Sequence, residues 1–283
     1  MKKTNEIPAT LQEIMFDVEI NDNPRNTNTE YCKVVTGLID GEEIDLNYCS
    51  DRYELVPNAE IFPVVRQILL NKGIQFTEHY SHINNARFYA NYVIEDQRYA
   101  YRVGGSADVV KPMLKVQHSY NGLTKYMITF GYYRLVCSNG LVIPVEEMKQ
   151  YNLSMVGKHT KSIKDSLLKL NETLNYFAEN AAQITLAITA KYETLAGNYV
   201  EAWEDRVLEV LNTNKIAVVE GSKNTVSHIT STILKEADLY GGRVNDWLIY
   251  NAVNRYIYDD AINAKAPEAR AELDRKVFES LLN

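Results

Sequence analysis

The sequence has few cysteines and no long apolar run. Its three cysteines, Cys32, Cys49 and Cys137, form no CxxC pair and leave one cysteine over in any disulfide scheme. A reducing cytoplasm is therefore the expected compartment. No stretch approaches the roughly 18 to 20 apolar residues that a membrane span needs, and the N-terminal residues lack the apolar run of a secretory signal. These absences predict a soluble protein with no membrane partner.

Motifs that hold a phosphate or a metal ion are also absent. The glycine-containing loop at residues 104–108 matches neither GxxxxGK(S/T) nor GxGxxG. His79 and His82 are three residues apart, which places them on opposite faces of a strand and disfavours a metal site. Cys137 has His118 upstream but no identifiable third group, and a cysteine in an apolar strand is more often a core residue. The sequence predicts no cofactor, no metal site and no catalytic residue, although it does not exclude an enzyme.

Basic residues are outnumbered in the chain but concentrated in one segment. The 30 Lys and Arg residues stand against 37 Asp and Glu residues, which gives a net charge of −7. Between Arg66 and Arg134 there are nine basic and four acidic residues, together with nine of the twenty tyrosines. Basic residues interleaved with aromatic rings are typical of surfaces that follow a phosphate backbone and stack bases. The acidic total argues against indiscriminate binding to nucleic acid, but a local basic patch can still bind it.

The first half of the chain has the pattern of short strands, which predicts an antiparallel sheet. The turn signals include Asp40-Gly41 and Asn121-Gly122, and Asn-Gly is a strong hairpin signal. One helix is predicted among the strands, with Asn58 as a favourable N-cap and Gly73 as its stop. The predicted strands are residues 30–36, 43–49, 85–95, 97–103, 113–120 and 124–137.

The second half of the chain has a helical pattern. Eight apolar residues recur at alternating spacings of four and three, which is a heptad pattern: Ile163, Leu167, Leu170, Leu174, Phe177, Ala181, Ile184 and Ile188. The heptad helix has two interpretations, an internal helical bundle or a homo-oligomer that assembles through residues 163–188. Further helices are predicted at residues 199–212, 225–239, 244–260 and 267–281.

These patterns predict an α+β protein in three segments. Residues 1–29 form an N-terminal extension, and residues 30–150 form a mainly antiparallel sheet domain with one packed helix. Residues 151–283 form a helical domain that begins with the long heptad helix.

Strand alternation assigns the side chains of the predicted sheet to two faces. The side chains on the apolar side of the strands, which include Tyr92, Tyr99 and Tyr101, are predicted to form the core face. We also expect Tyr132 and Arg134 to be packed. On the opposite face the basic residues would contact phosphates and the tyrosines would stack on bases. The alternative is a solvent-exposed face whose charged side chains are hydrated and bind no ligand. The predicted contact residues are Arg87, Tyr89, Arg98, Arg102, Lys115, Lys125 and Tyr133.

Three stretches carry a family resemblance: Gly131-Tyr-Tyr-Arg-Leu-Val-Cys-Ser-Asn-Gly-Leu-Val-Ile-Pro144, residues 53–62 (YELVPNAEIF) and residues 246–254 (DWLIYNAVN). The chain resembles a phage/plasmid-like protein family of unknown function, also found in prophages, whose signature is R-x-V/L-C-S-N-G-L. The resemblance implies a phage, plasmid or prophage setting in a bacterial host cell. It implies no reaction and no catalytic residue.

The predicted order of elements, a hairpin, a helix and then a meander of strands, is similar to the core of phage and eukaryotic single-strand annealing proteins. This likeness concerns topology alone, since no annealing-family motif is present. The leading hypothesis is an accessory protein that binds single-stranded DNA through the basic face and acts in annealing or recombination. The alternative is a protein–protein interaction module, such as a host-defence antagonist or a structural component, that binds a host or phage protein and not nucleic acid.

Overall fold

The computed structural model describes residues 7–25, 30–135, 139–141, 154–157, 163–218, 224–259 and 267–283. Strands predominate up to residue 157 and helices from residue 163, which confirms the α+β class. In chain order the strands are β1 (Ile7–Ala9), β2 (Val18–Asp22), β3 (Lys33–Ile39), β4 (Glu42–Cys49), β5 (Phe76–Ile83), β6 (Arg87–Ile94), β7 (Tyr101–Arg102), β8 (Val109–Ser119), β9 (Tyr126–Arg134), β10 (Asn139–Leu141) and β11 (Ser154–Gly157). The α-helices are α1 (Leu11–Ile14), α2 (Phe62–Asn71), α3 (Ile163–Gly197), α4 (Trp203–Thr213), α5 (Thr225–Glu236), α6 (Asp246–Tyr258) and α7 (Pro267–Leu282).

The described strands form two antiparallel sheets. The larger has the order β1-β5-β6-β8-β9-β10, while β7 pairs with β8 and β11 pairs with β9; the smaller has the order β2-β3-β4. Asp40 and Gly41 join β3 to β4 with φ of +54° and +82°, and Asn84 and Asn85 join β5 to β6 with φ of +52° and +50°. Aspartate, asparagine and glycine tolerate this left-handed region. The predicted Asp40-Gly41 turn is confirmed, whereas Asn85 lies in a turn and not in the strand predicted at 85–95.

Helix α2 begins later than the sequence predicts. Asn58 is not its N-cap but lies in a preceding 3-10 turn (Asn58–Glu60). The Asn58 amide is fully buried, where it donates to the Ile14 carbonyl at 2.7 Å and contacts His118 Nδ1 at 2.9 Å. Because these tertiary contacts occupy its side chain, Asn58 does not cap the helix. Gly73, with φ of +65°, follows the end of the helix as predicted.

The predicted strand at residues 97–103 is wrong. The chain instead makes a 3-10 turn (Gln97–Tyr99), the two-residue β7 and a second 3-10 turn (Val103–Gly105). The Asp96 carboxylate accepts a hydrogen bond from the Arg98 backbone N–H at 2.9 Å, and this local bond favours a turn over an extended strand. In this segment only β7 joins the sheet, through β8.

The heptad pattern does lie on one long helix, α3. Ile184 and Ile188 are buried within this chain, which supports the internal-bundle interpretation for that part of the pattern. The remaining heptad side chains lie outside the described residues, so assembly through α3 stays a prediction. Within the described ranges, no helix is long and apolar enough to cross a membrane.

One apolar core joins the sheet to the helices. The same cluster of buried side chains includes Phe62 of α2, Phe88 of β6, Ile188 of α3, Trp247 of α6 and Phe278 of α7. Burial of apolar surface contributes roughly 25 cal/mol per Å². The strands and helices therefore stabilise one another through a shared interior.

Candidate nucleic-acid interface

The larger sheet is covered on both faces in its middle strands. Phe88 and Leu114 are buried on the face predicted to be the core. On the opposite face, Tyr89 is only 2% exposed, and Val93 and Met113 are buried as well. Both interpretations of this face require it to be exposed, and that exposure is wrong in β6 and in much of β8. Alternation shows which residues share a face, but not whether another part of the chain covers it.

Three predicted contact residues lie in this covered region. Arg87 and Tyr89 are buried on β6, and Lys115 is half-buried on β8. The Lys115 Nζ lies 6.0 Å from the centre of the Tyr258 ring on α6, within range of a cation–π attraction. Helix α6 therefore contacts the face that the sequence leaves open. These three residues are poorly placed to reach a phosphate or a base.

Lys125 belongs to a different surface from Arg102. Lys125 directly precedes β9, near the pairing of Met127 with Gln117 on β8. Arg102 pairs with Val109 at the other end of β8. At about 3.3 Å per residue, the two levels are roughly 30 Å apart. Both side chains are exposed, but they do not form one patch.

Residues 98–102 bring two arginines and two tyrosines together at the edge of the sheet. We call Arg98, Tyr99, Tyr101 and Arg102 the Arg–Tyr edge. Both arginines are exposed, and both tyrosines are half-buried and packed against the core, so their assignment to the core is confirmed in part. Tyr99 lies in a 3-10 turn, in which strand alternation does not apply, whereas Tyr101 lies on β7 at the edge of the sheet.

The two arginines of the edge have different neighbours. Arg98 pairs with Asp96, with Nη2 and Oδ2 2.5 Å apart, and its guanidinium carbon lies 5.5 Å from the centre of the Tyr99 ring. Its side chain is nevertheless 77% exposed. Arg102 has no ion-pair partner in the part of the chain that the structure describes. Exposed ion pairs contribute only about 0 to 1 kcal/mol, so a phosphate could displace Asp96 from Arg98.

Tyr133 lies on the same face of the sheet as Arg102. Arg102 pairs with Val109, and Tyr133 pairs with Lys111. Directly paired residues and residues two apart on a strand share a face, so all four side chains project to one side. Strand spacings place Arg102 and Tyr133 roughly 12 Å apart. The structure thus brings together three of the seven predicted contact residues, Arg98, Arg102 and Tyr133.

A cleft of about 490 Å³ opens beside the Arg–Tyr edge, between β7 and α3. Its lining includes Tyr101, Arg102 and Glu193. The Glu193 carboxylate accepts the Gly104 backbone N–H at 2.7 Å. Burial, and then the nearby Glu193 charge, raise the pKa of the Tyr101 hydroxyl, which therefore stays neutral at physiological pH. The cleft combines a cation, a neutral phenol and a carboxylate that can accept from the amino group of a base.

A buried junction fixes the turn behind the Arg–Tyr edge. We give this name to Asp108, Arg134, Glu236 and Trp247. Arg134 is 0% exposed and donates from Nε and Nη2 to Asp108, at 2.9 and 2.5 Å, and from Nη1 to Glu236 at 2.6 Å. The Trp247 indole N–H donates to Asp108 Oδ2 at 2.8 Å. These bonds join β9, the loop after β7, α5 and α6.

The sequence predicts only one member of this junction. Strand parity indicates that Arg134 is packed, and the structure confirms it. A buried arginine needs acidic partners, since an unpaired buried charge is strongly unfavourable. The partners lie 26 and 102 residues away, at Asp108 and Glu236, and no local pattern connects them.

The described residues offer little metal or nucleophile chemistry. Among them, no group of three His, Cys, Asp or Glu side chains could hold a metal ion. His79 and His82 both lie on β5, a strand as the spacing argument assumed. Burial raises the pKa of the Cys49 thiol to about 11, which makes it a weak nucleophile. Cys137 lies outside the described residues.

The fold and this edge define an α+β protein whose sheet is packed against helices and presents exposed arginines beside tyrosines. The chain belongs to the family described as Domain of unknown function (DUF932), whose model matches residues 45–278. The match includes the three stretches 53–62, 131–144 and 246–254, and it confirms the prediction of a family of unknown function. No curated protein and no solved structure matches the chain.

Proposed function

We propose that this protein binds single-stranded DNA at the Arg–Tyr edge. The observation that carries the proposal is Arg102, an exposed cation with no ion-pair partner among the described residues, next to Tyr101 in a cleft. Arginines that contact phosphates, together with aromatic rings that stack on bases, bind single strands with little sequence preference. Tyr133, on the same face as Arg102, extends the contact surface.

The acidic balance of the chain shapes this activity. A net charge of −7 repels nucleic acid at long range, so attraction must come from direct contacts at the edge. Charges farther apart than about 8 Å are largely screened at physiological salt. We therefore expect weak, strongly salt-dependent binding and not broad electrostatic capture.

The biological role that we propose is strand annealing or recombination for a phage, plasmid or prophage, in the cytoplasm of a bacterial host. The setting is supported by the sequence resemblance and the role by the topological likeness to annealing proteins. A strand held by its phosphates and a few stacked bases keeps its other bases open for pairing. Stacking of the new duplex supplies about 1.4 kcal/mol per step, so no cofactor is required.

Fluorescence anisotropy with a labelled oligo-dT at low salt tests the proposal. We expect binding whose log K falls with log salt by about 0.7 for each phosphate contact. The double variant Arg98→Glu/Arg102→Glu should bind at least tenfold more weakly. Lys125→Glu reverses an exposed charge at the far end of β8 and is the matched control, with less than a twofold effect. Absence of binding by the wild type, or equal losses in both variants, would contradict the proposal.

A second candidate function is a protein–protein interaction module. Leu186 on α3 and Leu234 on α5 are 69% and 58% exposed, and a partner protein that covers them would remove this apolar surface from water. This function predicts indifference to DNA and a stable complex with a host or phage protein. Sedimentation velocity tests the homo-oligomer form of it: a concentration-dependent dimer should disappear in Leu186→Lys and persist in Lys125→Glu.

A further inference from the structure

Arg243 and Tyr199 form an exposed stacked pair on the helical half of the molecule. The Arg243 guanidinium carbon lies 3.8 Å from the centre of the Tyr199 ring. Tyr199 is 41% exposed, Arg243 is exposed, and the described residues supply no ion-pair partner for Arg243. An arginine that is stacked but not neutralised keeps its N–H groups and its outer face available.

The backbone holds this pair in place. The Val200 N–H donates to the Val244 carbonyl at 3.0 Å, and the Asp246 N–H donates to the Asn198 carbonyl at 3.0 Å. The Asn245 side chain adds a bond to the Ala196 carbonyl at 2.9 Å. The two segments are thus joined on both sides of Tyr199 and directly after Arg243. A preorganised contact loses less conformational entropy on binding.

The pair and the Arg–Tyr edge flank the same turn. Gly104, two residues after Arg102, has φ of +61°, and a Cβ there would lie 2.9 Å from the Tyr240 ring and 3.4 Å from Ala196 Cβ. Only glycine allows this approach. Tyr199 comes three residues after Ala196 and Arg243 three residues after Tyr240, so each Cα lies within about 11 Å of the Cα of a residue that contacts this turn.

From this arrangement we propose that Arg243 and Tyr199 form a second contact point for the strand that the Arg–Tyr edge binds. The inference rests on the proposed function and extends it from the sheet to the helical half. The Arg243 guanidinium contacts a phosphate, and a base stacks on the Tyr199–Arg243 pair. The ligand is a single strand long enough to cross the Gly104 turn. The exposed acids Glu201 and Asp238 near the pair restrict this attraction to direct contact.

Anisotropy measurements on oligo-dT strands of increasing length, from about 4 to 16 nucleotides, test this second contact. For the wild type, affinity should rise with length until one strand spans both points and then level off. Arg243→Gln should reduce the salt dependence of log K by about 0.7, the value for one phosphate contact. Tyr199→Leu should weaken binding about fivefold or more with unchanged salt dependence, because it removes stacking and no charge. Both variants should level off at a shorter strand length.

Lys125→Gln removes one exposed charge far from both points and is the matched control for Arg243→Gln. Thermal melting checks that the exposed substitutions leave the fold intact. If Arg98→Glu/Arg102→Glu weakens binding while Arg243→Gln and Tyr199→Leu match the wild type, the second contact point is wrong and the proposed function stands. If the wild type binds no strand of any length, both the proposed function and the second contact point are wrong.

Discussion

Arg134 and Arg102 come from the same basic segment and lie in opposite environments. Arg134 is fully buried in the junction and is bound to Asp108 and Glu236. Arg102 is exposed on the two-residue β7, with no ion pair in the described part of the chain. The first guanidinium is already neutralised by this chain, whereas the second can accept an external anion. Charge composition alone cannot separate these two roles.

The comparison assigns stability to the buried Arg134, whereas the binding that we propose would depend on exposed arginines such as Arg102. Removing one partner of a buried ion pair leaves an uncompensated charge in the core, which is strongly unfavourable. Removing an exposed arginine costs the fold almost nothing. Substitutions in the buried junction should therefore change the free energy of unfolding, and substitutions at the Arg–Tyr edge should change binding instead.

Arg134→Ala should cause the largest loss of stability. The substitution leaves Asp108 and Glu236 without their shared cation, and we expect the free energy of unfolding to fall by about 3–5 kcal/mol. Urea titration followed by circular dichroism measures the change, with Arg102→Ala as the matched control. A loss of less than about 1 kcal/mol would mean that the junction is not held by its charges.

Trp247→Phe tests the neutral part of the same junction. The phenyl ring keeps most of the apolar burial but removes the indole N–H that donates to Asp108. We expect a loss of about 1–3 kcal/mol in the free energy of unfolding, because a buried acceptor loses a partner. Trp203→Phe, at a half-buried tryptophan outside the junction, is the control. If both substitutions lower the free energy of unfolding equally, the loss comes from the smaller ring and not from the missing hydrogen bond.

Asp274 shows what a buried acid does without the ion pairs that Asp108 has. It lies on α7 and accepts a hydrogen bond from the Asn254 side chain at 2.9 Å. Burial raises the pKa of its carboxyl to about 7, above its ordinary value of 3.8. Between these values the folded protein keeps a proton that the unfolded chain releases. The contribution of Asp274 to stability should therefore fall as pH rises from about 4 to about 7 and stay constant above that range.

Asp274→Asn isolates this pH dependence because asparagine resembles the protonated acid. The difference in unfolding free energy between wild type and variant should change by about 1 kcal/mol per pH unit within that window. Urea titrations at pH 5, 6 and 8 measure it. A constant difference over this range would show that Asp274 is ionised in the folded protein.

Arg102→Gln should have the smallest effect on the fold. We expect the free energy of unfolding to change by less than about 0.5 kcal/mol. In the same samples, the slope of log K for oligo-dT against log salt should decrease in magnitude by about 0.7. A stability loss comparable with that of Arg134→Ala would break the division between the two arginines.

Several features of the fold follow from local sequence patterns. The Asp40-Gly41 turn, the end of α2 at Gly73 and the long helix α3 each depend on local backbone preferences or on helical periodicity. The strand predicted at 97–103 does not form because the Asp96 side chain binds the Arg98 backbone and favours a turn. Asn58 is not the helix cap because its side-chain amide donates to the distant Ile14 carbonyl.

The candidate site was predicted only in part. Arg98, Arg102 and Tyr133 come together, while Tyr89 is buried and Lys125 lies at the far end of β8. Alternation assigns a side chain to a face, and the elements packed on that face decide whether solvent reaches it. No sequence pattern predicts the pair of Tyr199 and Arg243, because 44 residues separate them in the chain. They come together where Tyr199 pairs with Asn245 through the backbone.

Local sequence patterns are enough to predict the α+β class, the Asp40-Gly41 turn, the helical second half and membership of a family of unknown function. These depend on short-range periodicity and on motifs that can be read along the chain. The tertiary structure alone decided which arginines are neutralised, and it buries Arg87, which strand alternation leaves on the open face. That outcome depends on partners such as Asp108, Glu236 and Trp247, which lie 26 to 139 residues from the groups they bind. Burial and ion pairing are properties of the folded interior, and a one-dimensional pattern does not specify them.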